Sequence, residues 1–160
     1  MPRIASNRRV ERTALEDFVR HRHHAVLLTS RADGRPQASL VTMGLSTDGA
    51  VLVSSYPQRA KVANIRARPD VSVVVLSDSF GDEWVQLDGR AEVVDLPDAL
   101  EGLVEYYRVI SGEHPDWDEY RAAMQLQGKS LIRVAIERWG PIASGGFPAD
   151  VAARLDARDG

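Results

Sequence analysis

The Asp-Gly dipeptides at residues 33–34 and 48–49 constrain the fold of this chain more than any other feature. Asp-Gly between apolar runs is a strong signal for a tight turn between two antiparallel strands. The segments on either side of these two turns are therefore predicted to pair as an antiparallel meander. The predicted strands are residues 25–30, 37–46 and 50–54.

A longer strand is predicted at residues 84–94, where residue character alternates with a period of two. One face carries Val85, Leu87, Gly89, Ala91 and Val93, and the other carries Trp84, Gln86, Asp88, Arg90 and Glu92. Apolar runs at residues 72–76 and 131–136 add two more strands. Six strands joined mostly by hairpins predict a mainly β fold with inserted helices, closed as an antiparallel barrel that removes exposed sheet edges.

Helices are predicted between some of these strands. Thr13 and Glu16 have the spacing of a capping box, which predicts a first helix to about residue 21. Two further helices are predicted at residues 97–110, stopped by Gly112, and 116–126, capped by Asp116 with Glu119. A short final helix is expected in the tail. Neither the glycine fingerprint of a doubly wound dinucleotide fold nor a Walker loop occurs in the sequence.

The length of 160 residues predicts one domain with one core. We divide it into an N-terminal arm and helix (1–22), a barrel (23–140) and a C-terminal tail (141–160). A net charge of -3 argues against a nucleic-acid partner, and the arginines of the arm predict a loose segment. The sequence has no cysteine, no signal-peptide pattern and no apolar run of about 18 residues, which predicts a cytoplasmic protein without membrane contact.

The most informative motif follows the third predicted strand. Ser54 and Ser55 end that strand, and Arg59 and Lys61 open a predicted helix. The amino end of a helix has unpaired N–H groups and a partial positive charge, so added cations favour a phosphate-binding site. The alternative is that these cations form only the solvated side of an amphipathic helix. Spacing alone leaves both interpretations open.

No catalytic residue is identified from the sequence. His23 and His24 are adjacent and point apart, so no metal site is predicted. No nucleophile elbow or triad pattern occurs. Trp84 would either stack on a ligand ring or pack against a helix. A phosphate site without an obvious acid, base or nucleophile favours a protein whose cofactor carries the chemistry.

Three segments together resemble the flavin-reductase split-barrel superfamily that includes pyridoxamine 5′-phosphate oxidase. They are Asp33-Gly34-Arg35-Pro36-Gln37, Pro57-Gln58-Arg59-Ala60-Lys61 followed by Asn64 and Arg66, and residues 112–121 followed by Met124. The chain is most similar to the actinobacterial branch that binds the deazaflavin coenzyme F420. The resemblance implies a six-stranded antiparallel split β-barrel that forms a homodimer, with two cofactor sites at the interface between subunits.

The resemblance also implies a set of cofactor-binding residues. Arg59 and Lys61 would hold the cofactor phosphate, assisted by Asn64, Ser54 and Ser55. The tricyclic ring would lie along the second strand, and Trp84 would reach the site from the other subunit. The ring-binding positions on that strand are Gln37, Ser39 and Val41.

The implied activity is hydride transfer between reduced F420 and an unsaturated or quinone-like small molecule. Two alternatives remain open at this point. One is an FMN-dependent oxidase or reductase of the pyridoxamine phosphate oxidase type, and the other is a carrier that binds F420 without turnover. The two cofactors differ because FMN ends in a phosphate, whereas F420 continues from a phosphodiester into a glutamate tail. Such a tail needs a positive groove, for which Arg35, Arg66 and Arg68 are candidates.

Overall fold

The computed structural model describes residues 2–159. Within this part of the chain, nine strands and five helices follow one another along the sequence. In chain order they are β1 (Ser6–Arg8), α1 (Arg12–Arg20), β2 (His24–Ser30), β3 (Pro36–Thr42), β4 (Gly44–Leu45), β5 (Ala50–Ser55), α2 (Ala60–Ala67), β6 (Asp70–Leu76), β7 (Val85–Val94), α3 (Leu100–Ser111), α4 (Trp117–Gln127), β8 (Ser130–Trp139), β9 (Ile142–Ser144) and α5 (Ala149–Asp159).

Seven strands form one antiparallel sheet in the order β3-β2-β6-β7-β8-β5-β4. Both Asp-Gly turns are present, with Gly34 at φ 87° and Gly49 at φ 85°, values that favour glycine. The opposite edge strands β3 and β4 are separated in sequence by Met43 alone. The sheet must therefore curl until its edges adjoin. This curled antiparallel sheet confirms the predicted split-barrel fold.

The predicted second strand, residues 37–46, is wrong in one respect: it is two strands. Met43 is fully buried, and its N–H donates to the His23 carbonyl at 2.8 Å, which ends the pairing of β3 with β2. Beyond this break, β4 pairs with β5 at the other edge of the sheet. The predicted simple meander is therefore wrong. The sheet has seven strands instead of the predicted six, because the predicted second strand is divided into β3 at one edge of the sheet and β4 at the other.

Strand β7 confirms the predicted alternation. Val85, Leu87 and Ala91 are buried in the barrel core, whereas Gln86 and Arg90 are exposed. The main core also takes residues from α1 and α2, among them Leu15, Val19 and Val62. Helix α2 is thus fixed to the barrel by its apolar side, and its first turn is held at the end of β5.

A second, smaller core lies under α3 and α4, around Leu52, Leu103 and Leu131. Asp116 accepts a hydrogen bond from the Glu119 backbone N–H at 3.1 Å, which confirms the predicted cap of α4. Helix α3 begins at Leu100, three residues after the predicted start, and ends before Gly112 as expected. The side chains of Tyr107, His114, Trp117 and Tyr120 contact one another and are called the aromatic cluster below.

Two expectations for the N-terminal region are wrong. The capping box is not formed, because α1 begins at Arg12 after Glu11, without a side-chain cap. The guanidinium of Arg12 donates instead to the Ile136 and Gly49 carbonyls. The arm is not loose either, since β1 pairs with β9, and Arg3 and Arg8 form ion pairs with residues of the 77–84 loop. The expected final helix is present as α5.

Candidate functional site

The candidate site lies where β5 passes into α2. Strand β5 ends at Ser55, a short turn follows, and the Arg59 N–H donates to the Tyr56 carbonyl at 3.1 Å. Arg59 then takes the N-cap position in extended conformation and gives α2 no side-chain cap. Because Val62 and Ile65 bury the opposite side of α2 in the core, the amino end of the helix is fixed beside the end of β5.

This junction forms one wall of an open pocket of about 470 Å³, called the anion pocket below. Its other walls come from the edge strand β3 and from the segment between α4 and β8. The lining residues are Gln37, Ser39, Ser54, Ser55, Tyr56, Arg59, Ala60, Lys61 and Lys129. Six of the nine cofactor-binding residues predicted from the sequence therefore line the same pocket.

The anion pocket carries three cationic side chains, those of Arg59, Lys61 and Lys129. Within residues 2–159, none of them forms an ion pair. Burial, and then the charges of Arg59 and Lys129, lower the pKa of the Lys61 ammonium from its ordinary value. A bound anion would act on the pKa of Lys61 in the opposite direction, because its negative charge stabilises the charged ammonium.

Ser55 provides a second indication of a ligand. The residue is only 4% exposed, and its Oγ has no hydrogen-bond partner within the described part of the chain. A buried hydroxyl without a partner costs about 1–3 kcal/mol. In an anion pocket, such a hydroxyl is suited to donate to a ligand oxygen.

On β3, Gln37 and Ser39 are held in place by hydrogen bonds. Gln37 Oε1 accepts from Thr29 Oγ1 at 2.8 Å, and its Nε2 donates to Ser39 Oγ at 2.8 Å. Thr29 is nearly fully buried, so this chain of hydrogen bonds is anchored in the barrel. The two side chains are fixed without a ligand, which reduces the entropy cost of binding one.

The structure does not bring the other three predicted residues into the anion pocket. Val41 lines a neighbouring cavity with Leu40 and Thr42. Asn64 Nδ2 donates to Thr29 Oγ1 at 3.1 Å, so Asn64 stabilises the hydrogen-bonded chain of Thr29, Gln37 and Ser39 without lining the pocket. Trp84 is 40% exposed and lines a separate cavity of about 760 Å³ beside Phe80.

Sequence reasoning missed Tyr56 and Lys129. Lys129 Nζ lies 4.1 Å from the Tyr56 ring centroid, and Arg59 Cζ lies 5.9 Å from the same centroid. Lys129 joins the pocket because Ser55 and Ser130 are register partners in β5 and β8. Its rarity was an available signal, since Lys61 and Lys129 are the only two lysines of the chain.

Two of the arginines considered for a positive groove are engaged elsewhere. Arg66 donates two hydrogen bonds to Asp95, at 2.9 and 2.7 Å. Hydrogen bonds from Ser130 and then Arg66 hold the pKa of the Asp95 carboxyl below its ordinary value. Arg68 donates to the Ser30 carbonyl at 2.8 Å.

The chemistry available in the anion pocket is the binding of an anion with several oxygens. Arginine offers a fork of donors, lysine offers a mobile point charge, and the amino end of α2 adds backbone donors.

Across residues 2–159, no helix is long and apolar enough to cross a membrane.

Solved structures with this fold include proteins of several described types. The conserved hypothetical protein Rv2991 from Mycobacterium tuberculosis is 22% identical, with a TM-score of 0.70 over 88% of this chain and 89% of that one. A protein described as an F420 reductase is 19% identical, with a TM-score of 0.59 over 78% and 94%. An FAD-binding protein from Mesorhizobium loti is 17% identical, with a TM-score of 0.60 over 89% and 98%.

The family comparison covers most of the chain. Residues 12–143 match the family described as pyridoxamine 5′-phosphate oxidase, a range that includes every strand of the curled sheet and the whole anion pocket. The match agrees with the split-barrel fold of the solved structures. This chain therefore belongs to the pyridoxamine 5′-phosphate oxidase family.

Proposed function

We propose that this protein is an F420-dependent oxidoreductase that transfers a hydride between the reduced deazaflavin and an unsaturated or quinone-like small molecule. The observation that carries the proposal is the composition of the anion pocket. Cations and a buried hydroxyl that have no partner among residues 2–159 meet at the amino end of α2, in a fold that binds flavin-type cofactors. These are the groups that a coenzyme phosphate requires.

In the proposed complex, the phosphate lies at the amino end of α2. Arg59 and Lys61 supply opposite charge, and Ser55 Oγ donates the hydrogen bond for which it has no protein acceptor. Ser54, the residue before it, lines the same pocket. Charge-assisted hydrogen bonds of this kind contribute about 1.5–3 kcal/mol each.

The tricyclic ring is proposed to lie along β3. Positions 37, 39 and 41 share one face of this strand and span about 13 Å at the usual rise per residue. Gln37 and Ser39 are already oriented by hydrogen bonds, and Val41 continues the same face with an apolar side chain.

A homodimer is proposed because the outer face of the sheet next to this site is apolar. Leu40 is 86% exposed, and its cross-strand partner Val26 is half-buried on the same face, as is Val74, the partner of Val26 on the next strand. A second copy covering this face would bury it, and the expectation that Trp84 reaches the ring site from the other subunit stays a prediction. Light scattering on the wild-type chain and on Leu40→Glu tests the proposed homodimer. We expect the wild type to be a dimer and Leu40→Glu to be a monomer. A monomeric wild type would contradict the proposal.

In this proposal the bound coenzyme supplies the hydride. The residues of the chain hold the phosphate, fix the ring plane along β3 and leave the exposed side of the ring to the substrate. Orientation of this kind is a large part of the catalytic effect when the cofactor provides the chemistry. No residue is assigned as a proton donor.

The choice of F420 over FMN is supported by the number of unpaired cations and by the fold shared with the protein described as an F420 reductase. FMN is the second candidate, favoured by the family description and by the FAD-binding protein of the same fold. A carrier of F420 without turnover is the third.

Equilibrium titration of the purified wild-type chain with F420 and with FMN separates the first two functions. We expect saturable binding of F420 at lower concentration than FMN. Tight FMN binding without measurable F420 binding would overturn the proposal.

A second experiment separates the reductase from the carrier. Reduced F420 is incubated with the protein and with quinones, tetrapyrroles and nitroaromatics. Oxidation of the coenzyme by a substrate supports the reductase, and binding without oxidation across the panel supports the carrier.

A further inference from the structure

Lys129 enters the anion pocket from a different part of the fold than Arg59 and Lys61. Helix α4 ends at Gly128, which has the left-handed conformation at φ 66° and ψ 36°. This residue turns the chain into β8 and places Lys129 next to Tyr56. The Lys129 ammonium lies 4.1 Å from the Tyr56 ring centroid, within the range of a cation–π contact.

Tyr56 is itself linked to the end of α4. Its hydroxyl donates to Gln127 Oε1 at 3.4 Å, so the ring is linked to the end of the same helix that delivers Lys129. Arg59 also lies over this ring, at 5.9 Å from its centroid. One aromatic ring therefore lies beside two cations of the pocket.

The nearby carboxylate does not neutralise this charge. Asp95 is close to the start of β8, since it accepts a hydrogen bond from Ser130 Oγ at 2.7 Å. Its two oxygens are used by Ser130 and Arg66. Lys129 lines the pocket without an ion pair to any of residues 2–159, and its charge acts on Lys61 there.

Three cations without an ion pair in the described part of the chain, together with a helix amino end, exceed the charge of a single phosphodiester. We propose that Lys129, held by Tyr56, is a specificity-determining residue that binds a second anionic group of the coenzyme beyond its phosphate, a carboxylate of an oligocarboxylate tail. This proposal rests on the proposed function. It assigns the tail contact to Lys129 instead of Arg66 or Arg68, whose guanidinium groups already form hydrogen bonds within the protein.

The test compares two forms of one coenzyme: F420 with its glutamate tail and F420 lacking the glutamates. Both are titrated against the wild type, Lys129→Gln and Lys61→Ala. Lys129→Gln is expected to weaken binding of the tailed form about tenfold and of the tail-less form less than twofold. Lys61→Ala is expected to weaken both forms to a similar extent, because both carry the phosphate.

Arg90→Gln is the matched control, since it removes the same charge from an exposed position on β7 outside the pocket. It should change neither affinity by more than twofold. Lys129→Arg keeps the charge and should keep the preference for the tail, which separates charge from folding effects. Thermal unfolding of each variant verifies that it is folded.

The outcomes for the two proposals differ. If neither form of F420 binds the wild type, the proposed function and this inference both fail. If both forms bind, Lys61→Ala weakens both, and Lys129→Gln affects them equally or not at all, the proposed function stands and the tail contact of Lys129 is overturned. A loss confined to the tailed form supports the inference.

Discussion

The aromatic cluster and the anion pocket differ in how their polar groups are satisfied. In the aromatic cluster, the Tyr120 hydroxyl donates to the Leu103 carbonyl at 2.8 Å and Trp117 Nε1 donates to Glu113 at 3.0 Å. Arg108 completes this arrangement through an ion pair with Glu113 at 2.8 Å. In the anion pocket, Ser55 and Lys61 have no comparable partner among residues 2–159.

This difference indicates which region is expected to stabilise the fold and which is expected to bind a ligand. A group that is satisfied within the protein contributes to stability whether or not a ligand is present. A buried group without a partner costs stability until something external pairs with it. The aromatic cluster is therefore expected to determine folding, and the anion pocket to determine binding.

The largest expected effect concerns the aromatic cluster. Tyr120→Ala should lower the free energy of unfolding by about 3–5 kcal/mol, because it empties a buried position and removes a hydrogen bond. Tyr120→Phe should cost only about 1 kcal/mol, the value of the hydrogen bond. Urea unfolding measures both. A Tyr120→Ala chain as stable as the wild type would show that the cluster is not a structural core.

The next effect concerns the anion pocket. Lys61→Ala should weaken F420 binding by about 1.5–3 kcal/mol, because a charge-assisted contact to the phosphate is lost. Its free energy of unfolding should change by less than about 0.5 kcal/mol, as for a residue without structural partners. Arg20→Ala, exposed at the end of α1, is the control for a lost charge. Unchanged affinity of Lys61→Ala on titration would remove the phosphate role of Lys61.

Ser55→Ala tests most directly whether a residue of the anion pocket contributes to ligand binding and not to the stability of the fold. It removes a buried hydroxyl that has no partner, so the ligand-free protein should be as stable as the wild type or more stable by up to about 1 kcal/mol. Affinity for F420 should fall by about 1 kcal/mol, since one hydrogen bond to the phosphate is lost. Thermal unfolding and titration provide the two values. A clear loss of stability without a loss of affinity would place Ser55 with the structural residues.

The smallest effect is a dependence of F420 affinity on pH. In the free protein the pKa of Lys61 lies below its ordinary value of 10.5, and a bound phosphate would raise it. Affinity should therefore be constant below the free-state pKa and fall as the pH rises through it, because the uncharged amine no longer attracts the phosphate. Titrations at increasing pH should give this slope for the wild type. The slope should be absent in Lys61→Ala, and its persistence there would assign it to another group.

Much of the fold follows from local sequence pattern. Strand β7 alternates strictly, and the Asp-Gly turns fix the hairpins on either side of them, so these elements were predictable. The break at Met43 was not, because it depends on the pairing of β4 with β5 across the closing barrel. Strand β1 was missed for the same reason, since its partner β9 lies at the other end of the chain.

The candidate site was predictable to a similar extent. Ser54, Ser55, Arg59 and Lys61 lie close together in the sequence, where a predicted strand passes into a predicted helix, and the amino end of a helix favours anion binding. Gln37 and Ser39 were placed by family resemblance, and the fold brings them to the same pocket. Lys129 was missed because only the register between β5 and β8 brings it to Tyr56. The homodimer stays a prediction.

A crystal structure of the protein soaked with F420 tests the central claim most directly. The account predicts the coenzyme phosphate at the amino end of α2, in contact with Arg59 and Lys61 and within hydrogen-bond distance of Ser55 Oγ. A phosphate bound elsewhere, with the Arg59 and Lys61 side chains in bulk solvent, would contradict it.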